Sequence, residues 1–196
     1  MPETCAIILA AGESTRMKTN KLLLPFHGCL MISKVVENVI RSGTDHILLV
    51  LGAFRDEMIA AISKLPVEYC FNPHFKQGML TSVQCGFRNM PETSDAAIIF
   101  LGDQPCIPGQ VPRQIIGSYN QTKSGILIPV YRGKRGHPVL IDRKYADDIY
   151  KLDPADGLRT FMTKFCDDIQ EVNVEAPGIL RDFDTLEDYT NETKLN

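Results

Sequence analysis

The chain predicts an α/β fold: a mostly parallel sheet covered by helices on both faces, in one domain spanning residues 1–196. Two observations carry that expectation. Continuous apolar runs such as TCAIIL, HILLVLG and AAIIFL lack the polar alternation of a one-sided sheet, so each reads as a strand buried on both faces. Between them lie amphipathic stretches with helical spacing, and strands alternating with helices give parallel crossovers. A length of 196 residues suits one sizeable domain.

The elements follow in order. Residues 4–9 form the first strand. Over 31–42, Ile32, Val35, Val36, Val39 and Ile40 recur at helical spacing, with Gly43 as the stop. A strand over 46–52 precedes a helix over 56–65, and 67–72 is the third strand. Residues 78–90 read as a loop entering a helix, and 96–105 as a fourth strand running into a loop. The last third differs. Residues 125–141 resemble a hairpin with a basic, glycine-containing turn, followed by helix-like segments over 144–152 and 157–165. Residues 169–174 make the last strand, and DTLEDY (184–189) starts a terminal helix capped by Asp184 or Thr185.

Composition narrows the function classes. The chain is 44% hydrophobic and 23% charged, with a formal net charge of −3, so bulk charge offers nucleic acid no attraction. No run approaches the roughly 18 apolar residues of a membrane span. The start, MPETCAIILAAG, is acidic where a secretory signal is basic, so a cytoplasmic protein without a membrane partner is expected. The six cysteines are scattered without a C-x-x-C pair, which argues against a structural zinc site.

Ligands of open parallel sheets bind at the carboxyl ends of the strands. Four loops there are rich in glycine or polar groups: AAGESTRMKTNK, NPHFKQGMLTS, GDQP and RGKRGHP. The first contains neither G-x-G-x-x-G nor G-x-x-x-x-G-K-[ST], which disfavours a dinucleotide fold and a P-loop. It does carry small residues, Gly12, Arg16 and Lys21. Small residues allow close backbone approach, exposed N–H groups form anion nests, and arginine grips phosphate through two N–H groups. Asp103, at the end of the fourth strand, is a candidate metal ligand, because magnesium takes one or two carboxylates beside phosphate oxygens and water. Among Asp182, Asp184, Glu187 and Asp188, a single inward-pointing carboxylate is expected; Glu187 and Asp188 read as helix-start charges.

At this point the residues carry a resemblance. LAAGESTRMKTNK is similar to the L-A-A-G-x-S-x-R-M-G-x-x-K signature of nucleotidyltransferases with a glycosyltransferase-A-like, Rossmann-like three-layer fold. QGMLTSVQCG resembles the G-M-x-x-S-x-x-x-G loop of that family, and LGDQP, RGHPVL, DGLR and FDT appear in the expected order. The set spans residues 9–185, and GDQP with RGHPV points to the MobA-like branch that includes molybdenum cofactor cytidylyltransferases. Lys18 stands where the family pattern has glycine, and Asn20 where proline is common.

The resemblance implies roles. Leu9, Ala10, Ala11 and Gly12 would give backbone contacts to a nucleotide; Gly78, Met79 and Ser82 would line its base and ribose. Arg16 and Lys21 would neutralise the triphosphate as catalytic residues, with Asp103 and Asp184 holding Mg2+. Arg135, His137 and Arg159 would face the second substrate. The implied reaction moves CMP from CTP to a molybdopterin-type cofactor with release of pyrophosphate. A molybdoenzyme or its maturation chaperone would receive the product. Transfer of another nucleotide to a different phosphorylated acceptor, and a non-catalytic cofactor-binding chaperone, are the competing expectations. His27, His46 and His74 show no partner pattern and read as structural or exposed.

Overall fold

The computed structural model describes residues 2–14, 19–122 and 124–193. The chain runs β1 (Thr4–Ala10), β2 (Pro25–Phe26), β3 (Cys29–Leu30), α1 (Met31–Ile40), β4 (His46–Leu51), α2 (Arg55–Ile62), β5 (Glu68–Phe71), α3 (Met79–Asn89) and β6 (Ala96–Leu101). It continues through α4 (Gln110–Thr122), β7 (Ile126–Tyr131), β8 (Lys134–Arg135), β9 (Val139–Asp142), α5 (Ala146–Tyr150), α6 (Gly157–Lys164), β10 (Ile169–Asn173) and α7 (Leu186–Thr193).

One eight-stranded sheet dominates, ordered β10-β7-β9-β6-β1-β4-β5, with β8 paired to β7; β2 and β3 form a separate ribbon. The β1, β4, β5 and β6 ladders are parallel, as is the β10–β7 ladder, whereas β9 runs antiparallel to both β6 and β7. The sheet is therefore mostly parallel, as expected. From β1 the chain steps outward to β4 and β5, then returns to β6 on the other side of β1. The carboxyl ends of β1 and β6 thus make a topological switch point, where a crevice opens between diverging connections.

Strand alternation splits the core into two layers. Ala6, Ile8 and Ala10 of β1 pack with α1, α2 and α4 through Val35, Val36, Met58, Val111 and Ile115. Cys5 and Ile7 face the opposite way, toward Leu80, Val83 and Phe87 of α3, Ile149 of α5 and Phe161 of α6. β1 is buried along nearly its whole length, consistent with its unbroken apolar run.

The differences from expectation have local causes. Residues 125–141 divide into three strands. Arg132 (φ 50°) and Gly133 (φ 77°) make a tight turn between β7 and β8, and β9 then inserts between β6 and β7. Helix α2 stops at Ile62, before Leu65, whose backbone is disfavoured in the helical region by Pro66. The stretch over 144–152 is a 3-10 turn (Arg143–Tyr145) leading into the short α5. Helix α4 had no sequence signal strong enough to mark it: Pro108, Gly109, Pro112 and Gly117 read as breakers, yet Pro112 sits in the first turn, where its missing N–H costs nothing. Among the described residues, no helix is long and apolar enough to cross a membrane.

Candidate active site

The first loop leaves β1 at the switch point. Leu9 accepts a hydrogen bond from Gly102 N–H at 3.0 Å, and Ala11 accepts one from Ala53 N–H at 3.2 Å, so the loop is pinned to the ends of both neighbouring strands. Two glycines permit this approach. A Cβ on Gly52 would stand 2.5 Å from the Ala11 carbonyl oxygen, and one on Gly102 would stand 2.9 Å from that of Leu9. Gly12 differs, because among the described residues a Cβ there would meet nothing within 4 Å. The loop closes at a 3-10 turn (Lys21–Leu23) capped by Asn20, whose side chain accepts from Leu22 N–H at 3.1 Å. Arg16 and Lys18 lie outside the described residues.

Lys21 joins three distant segments. Its ammonium donates to Asp103 at 2.5 Å and to Asp184 at 3.1 Å. The Lys21 and Asp103 side chains are 15% and 17% exposed, enough burial to strengthen the pair. Burial opposes the Lys21 charge, but the charges and hydrogen bonds of Asp103 and Asp184 outweigh it and hold the ammonium above its usual pKa. Asp184 is brought in by the backbone, since Phe183 N–H donates to the Asp103 carbonyl at 3.3 Å. Its freedom to face Lys21 follows from the cap of α7. Thr185 and Asp188 bond each other reciprocally, Asp188 N–H to Thr185 Oγ1 at 3.1 Å and Thr185 N–H to Asp188 Oδ2 at 2.9 Å. Thr185 is the cap, and Asp184 is released to the site.

The third wall comes from β5 and α3. Gly78 holds φ 108°, a conformation that favours glycine, and turns the chain into α3. Met79 is 51% exposed, and Ser82, one turn further, is 4% exposed. Behind them, Asn72 donates to Thr81 Oγ1 at 2.9 Å and to Ser82 Oγ at 3.0 Å.

These walls enclose a cavity of about 410 Å³. The structure gathers Leu9, Ala10, Ala11 and Gly12 from the first loop, Gly78, Met79 and Ser82 from α3, and Lys21, Asp103 and Asp184 around its rim. It adds Ser14, the serine of the first-loop signature, to which the resemblance assigned no role, and Leu22 and Phe75, which the motifs did not mark. Phe75 carried a signal, an aromatic in the loop after the third strand. Gly52 and Asn72 carried none, because their roles are contacts between segments distant in sequence.

Three residues expected to face a second substrate do not line this cavity. Arg135 is exposed on β8 and pairs with Glu171 of the edge strand β10 at 2.7 Å. Arg159 is exposed on α6; neither arginine lines the cavity. His137 is half-buried, its N–H donating to the Ile179 carbonyl at 3.1 Å. Burial pushes its imidazole pKa down, and the Asp103 and Asp182 charges oppose that shift.

Chemically the site suits a polyanion. It offers the Lys21 ammonium, small-residue backbone, and the N-terminal end of α3, where the helix dipole favours negative charge. Two carboxylates meeting at one point, Asp103 and Asp184, match the donor set of a divalent cation that also takes phosphate oxygens. Among the described residues no group of three or more histidine, cysteine or carboxylate side chains is placed to hold a metal ion.

Comparison with known proteins bears on the fold and the family. The molybdenum cofactor cytidylyltransferase of Escherichia coli K12 is 25% identical over 184 residues, covering 93% of this chain and 92% of that protein. The nicotine blue oxidoreductase of Paenarthrobacter nicotinovorans is equally distant, 25% identical over 198 residues, with 95% of each chain covered. Among solved structures, that of Rv0371c from Mycobacterium tuberculosis H37Rv in complex with manganese superposes with a TM-score of 0.83 at 22% identity, covering 98% of both chains. The model of the MobA-like NTP transferase domain matches residues 6–170. With that match spanning most of the chain, the protein belongs to the MobA-like NTP transferase family of nucleotidyltransferases.

Proposed function

We propose that this single-domain, cytoplasmic nucleotidyltransferase moves CMP from CTP to the phosphate of a molybdopterin-type molybdenum cofactor, releasing pyrophosphate and requiring Mg2+. The observation that carries the reading is the meeting of Lys21, Asp103 and Asp184 at the rim of the cavity formed by the first loop and α3. The choice of cytidine and of this acceptor rests on the resemblance of GDQP and RGHPV and on the E. coli relative.

In this reading the triphosphate lies along Leu9–Gly12 with its base toward Gly78, Met79 and Ser82. An oxygen of the acceptor phosphate attacks the α-phosphorus. The bond from that phosphorus to the α–β bridging oxygen breaks, and pyrophosphate leaves with the electron pair. The attacking phosphate is already anionic near neutral pH, so no protein base is needed. The protein must offset repulsion, which for two unit charges at about 4 Å is about 4 kcal/mol at an effective dielectric near 20. Lys21 and Arg16 supply positive charge, and His137, neutral at pH 7 because its pKa is lowered, flanks the acceptor side without adding to it. Asp103 and Asp184 would hold Mg2+, which would supply charge neutralisation for the phosphate oxygens. The product would pass to a molybdoenzyme or its maturation chaperone.

A panel of CTP, GTP and UTP with Mg2+, read by thermal shift, tests the nucleotide. The largest shift is expected with CTP. A larger shift with GTP or UTP overturns the cytidyl assignment while leaving the triphosphate site standing.

A further inference from the structure

Asn72 follows β5 and is 1% exposed, yet none of the family motifs includes it. Its side-chain amide has a fixed orientation. The Oδ1 atom accepts from His74 N–H at 2.9 Å, and a backbone N–H is always a donor, so the NH2 group must point the other way. Its two protons then go to Thr81 Oγ1 at 2.9 Å and Ser82 Oγ at 3.0 Å.

This direction sets the polarity of both hydroxyls. Thr81 receives from Asn72 and gives its own proton to the carbonyls of Gly78 and His74, at 2.9 and 3.0 Å. Ser82 also receives from Asn72, but among the described residues its proton has no protein acceptor within hydrogen-bond distance. The Ser82 side chain is 4% exposed and lines the cavity. A hydroxyl so deeply buried, with one lone pair taken and its proton uncommitted, must give that proton to whatever fills the cavity.

We infer that Asn72 is a positioning residue that makes Ser82 a hydrogen-bond donor to the bound nucleotide, so that the nucleotide atom facing Ser82 is an acceptor: a carbonyl oxygen or an unprotonated ring nitrogen of the base. The inference rests on the reading of the cavity as a nucleotide site. It assigns a direction to the contact. A base that turns an N–H toward Ser82 confronts donor with donor and binds more weakly, whereas cytosine offers two adjacent acceptors, O2 and N3.

A double-mutant cycle tests it, using the full chain and CTP with Mg2+ as the probe. Asn72→Asp keeps the shape and the His74 contact but replaces the donor with an acceptor, which draws the Ser82 proton away from the cavity. The expected result is a rise of about tenfold in the CTP dissociation constant, the size of one lost hydrogen bond, with kcat within about twofold of wild type. In a Ser82→Ala background the same substitution should weaken binding no further. Equal losses in both backgrounds, from general damage or from the added charge, overturn the inference, as does unchanged binding in Asn72→Asp. Asn72→Ala, which removes the donor without adding charge, should show the same lack of additivity if the aspartate variant folds poorly. Failure of the underlying reading shows separately, because wild type itself would then bind no nucleoside triphosphate.

Discussion

The Lys21 ammonium and the Asp103 carboxylate, 82 positions apart in sequence, meet at 2.5 Å, with Asp184 completing the contact at 3.1 Å. The arrangement ties the first loop, the turn after β6 and the segment before α7 into one rim. A cation placed between two carboxylates keeps them near each other by offsetting their mutual repulsion, and in the proposed function it offsets part of the negative charge that an incoming triphosphate meets. Both effects need an ammonium at this spot. Lys21→Met should lower turnover by about a hundredfold or more, the scale of removing one preorganised charge from a transition state. It should also lower stability by about 1–2 kcal/mol, because Asp103 is left partly buried without its partner. Steady-state kinetics and urea unfolding check the two effects separately. Lys21→Arg should rescue poorly, since a planar guanidinium does not replace a compact ammonium held between two carboxylates.

The glycines of the site separate folding from binding. Gly52→Ala places a methyl 2.5 Å from the Ala11 oxygen, so the first loop must shift. Overpacking of this kind costs about 1–3 kcal/mol, and a lower melting temperature together with weaker nucleotide binding is expected. Gly12→Ala adds a methyl that meets nothing within 4 Å among the described residues. It should leave the melting temperature of the free protein close to wild type while weakening nucleotide binding, because the added group occupies space at the cavity. Melting curves with and without CTP and Mg2+ distinguish the two variants.

His137 gives the fold a pH signature. Burial lowers its pKa from 6.5, and the Asp103 and Asp182 charges oppose the shift without reversing it. The unfolded chain therefore takes up this proton at a higher pH than the folded one. Stability from this group is complete above the unfolded value of 6.5 and is lost as pH falls from there toward the folded pKa. His137→Gln should flatten that part of the profile. Urea unfolding at several pH values between about 5 and 8 measures the difference, and wild type should lose more stability on acidification than the variant.

Much of this organisation was legible in the sequence because it follows from local pattern. Unbroken apolar runs marked β1, β4 and β6, and small or polar residues just after them marked the loops that line the cavity. What stayed hidden depends on contacts distant in sequence. Lys21 and Asp103 could each be assigned to chemistry, one to phosphates and one to metal, but not to each other. The choice between Asp184 and Thr185 as the cap of α7 was decided by the Thr185–Asp188 pair. The pairing of Arg135 with Glu171 was hidden as well, because only the fold sets β10 beside β7. Helix α4 was masked by its prolines and glycines. Asn72 opens the polar loop NPHFKQGMLTS, but its own role stayed hidden because its significance lies in the direction of two hydrogen bonds.

The central claim is that the Asp103 and Asp184 rim performs metal-assisted nucleotidyl transfer. It is tested most directly by pyrophosphate release from CTP in the presence of a molybdopterin-type cofactor, comparing wild type with Asp103→Asn, with and without Mg2+. Wild type should release pyrophosphate only with Mg2+ and acceptor together, and Asp103→Asn should fall by about a hundredfold or more. Undiminished release by Asp103→Asn, or release by wild type that persists in excess chelator, would contradict it.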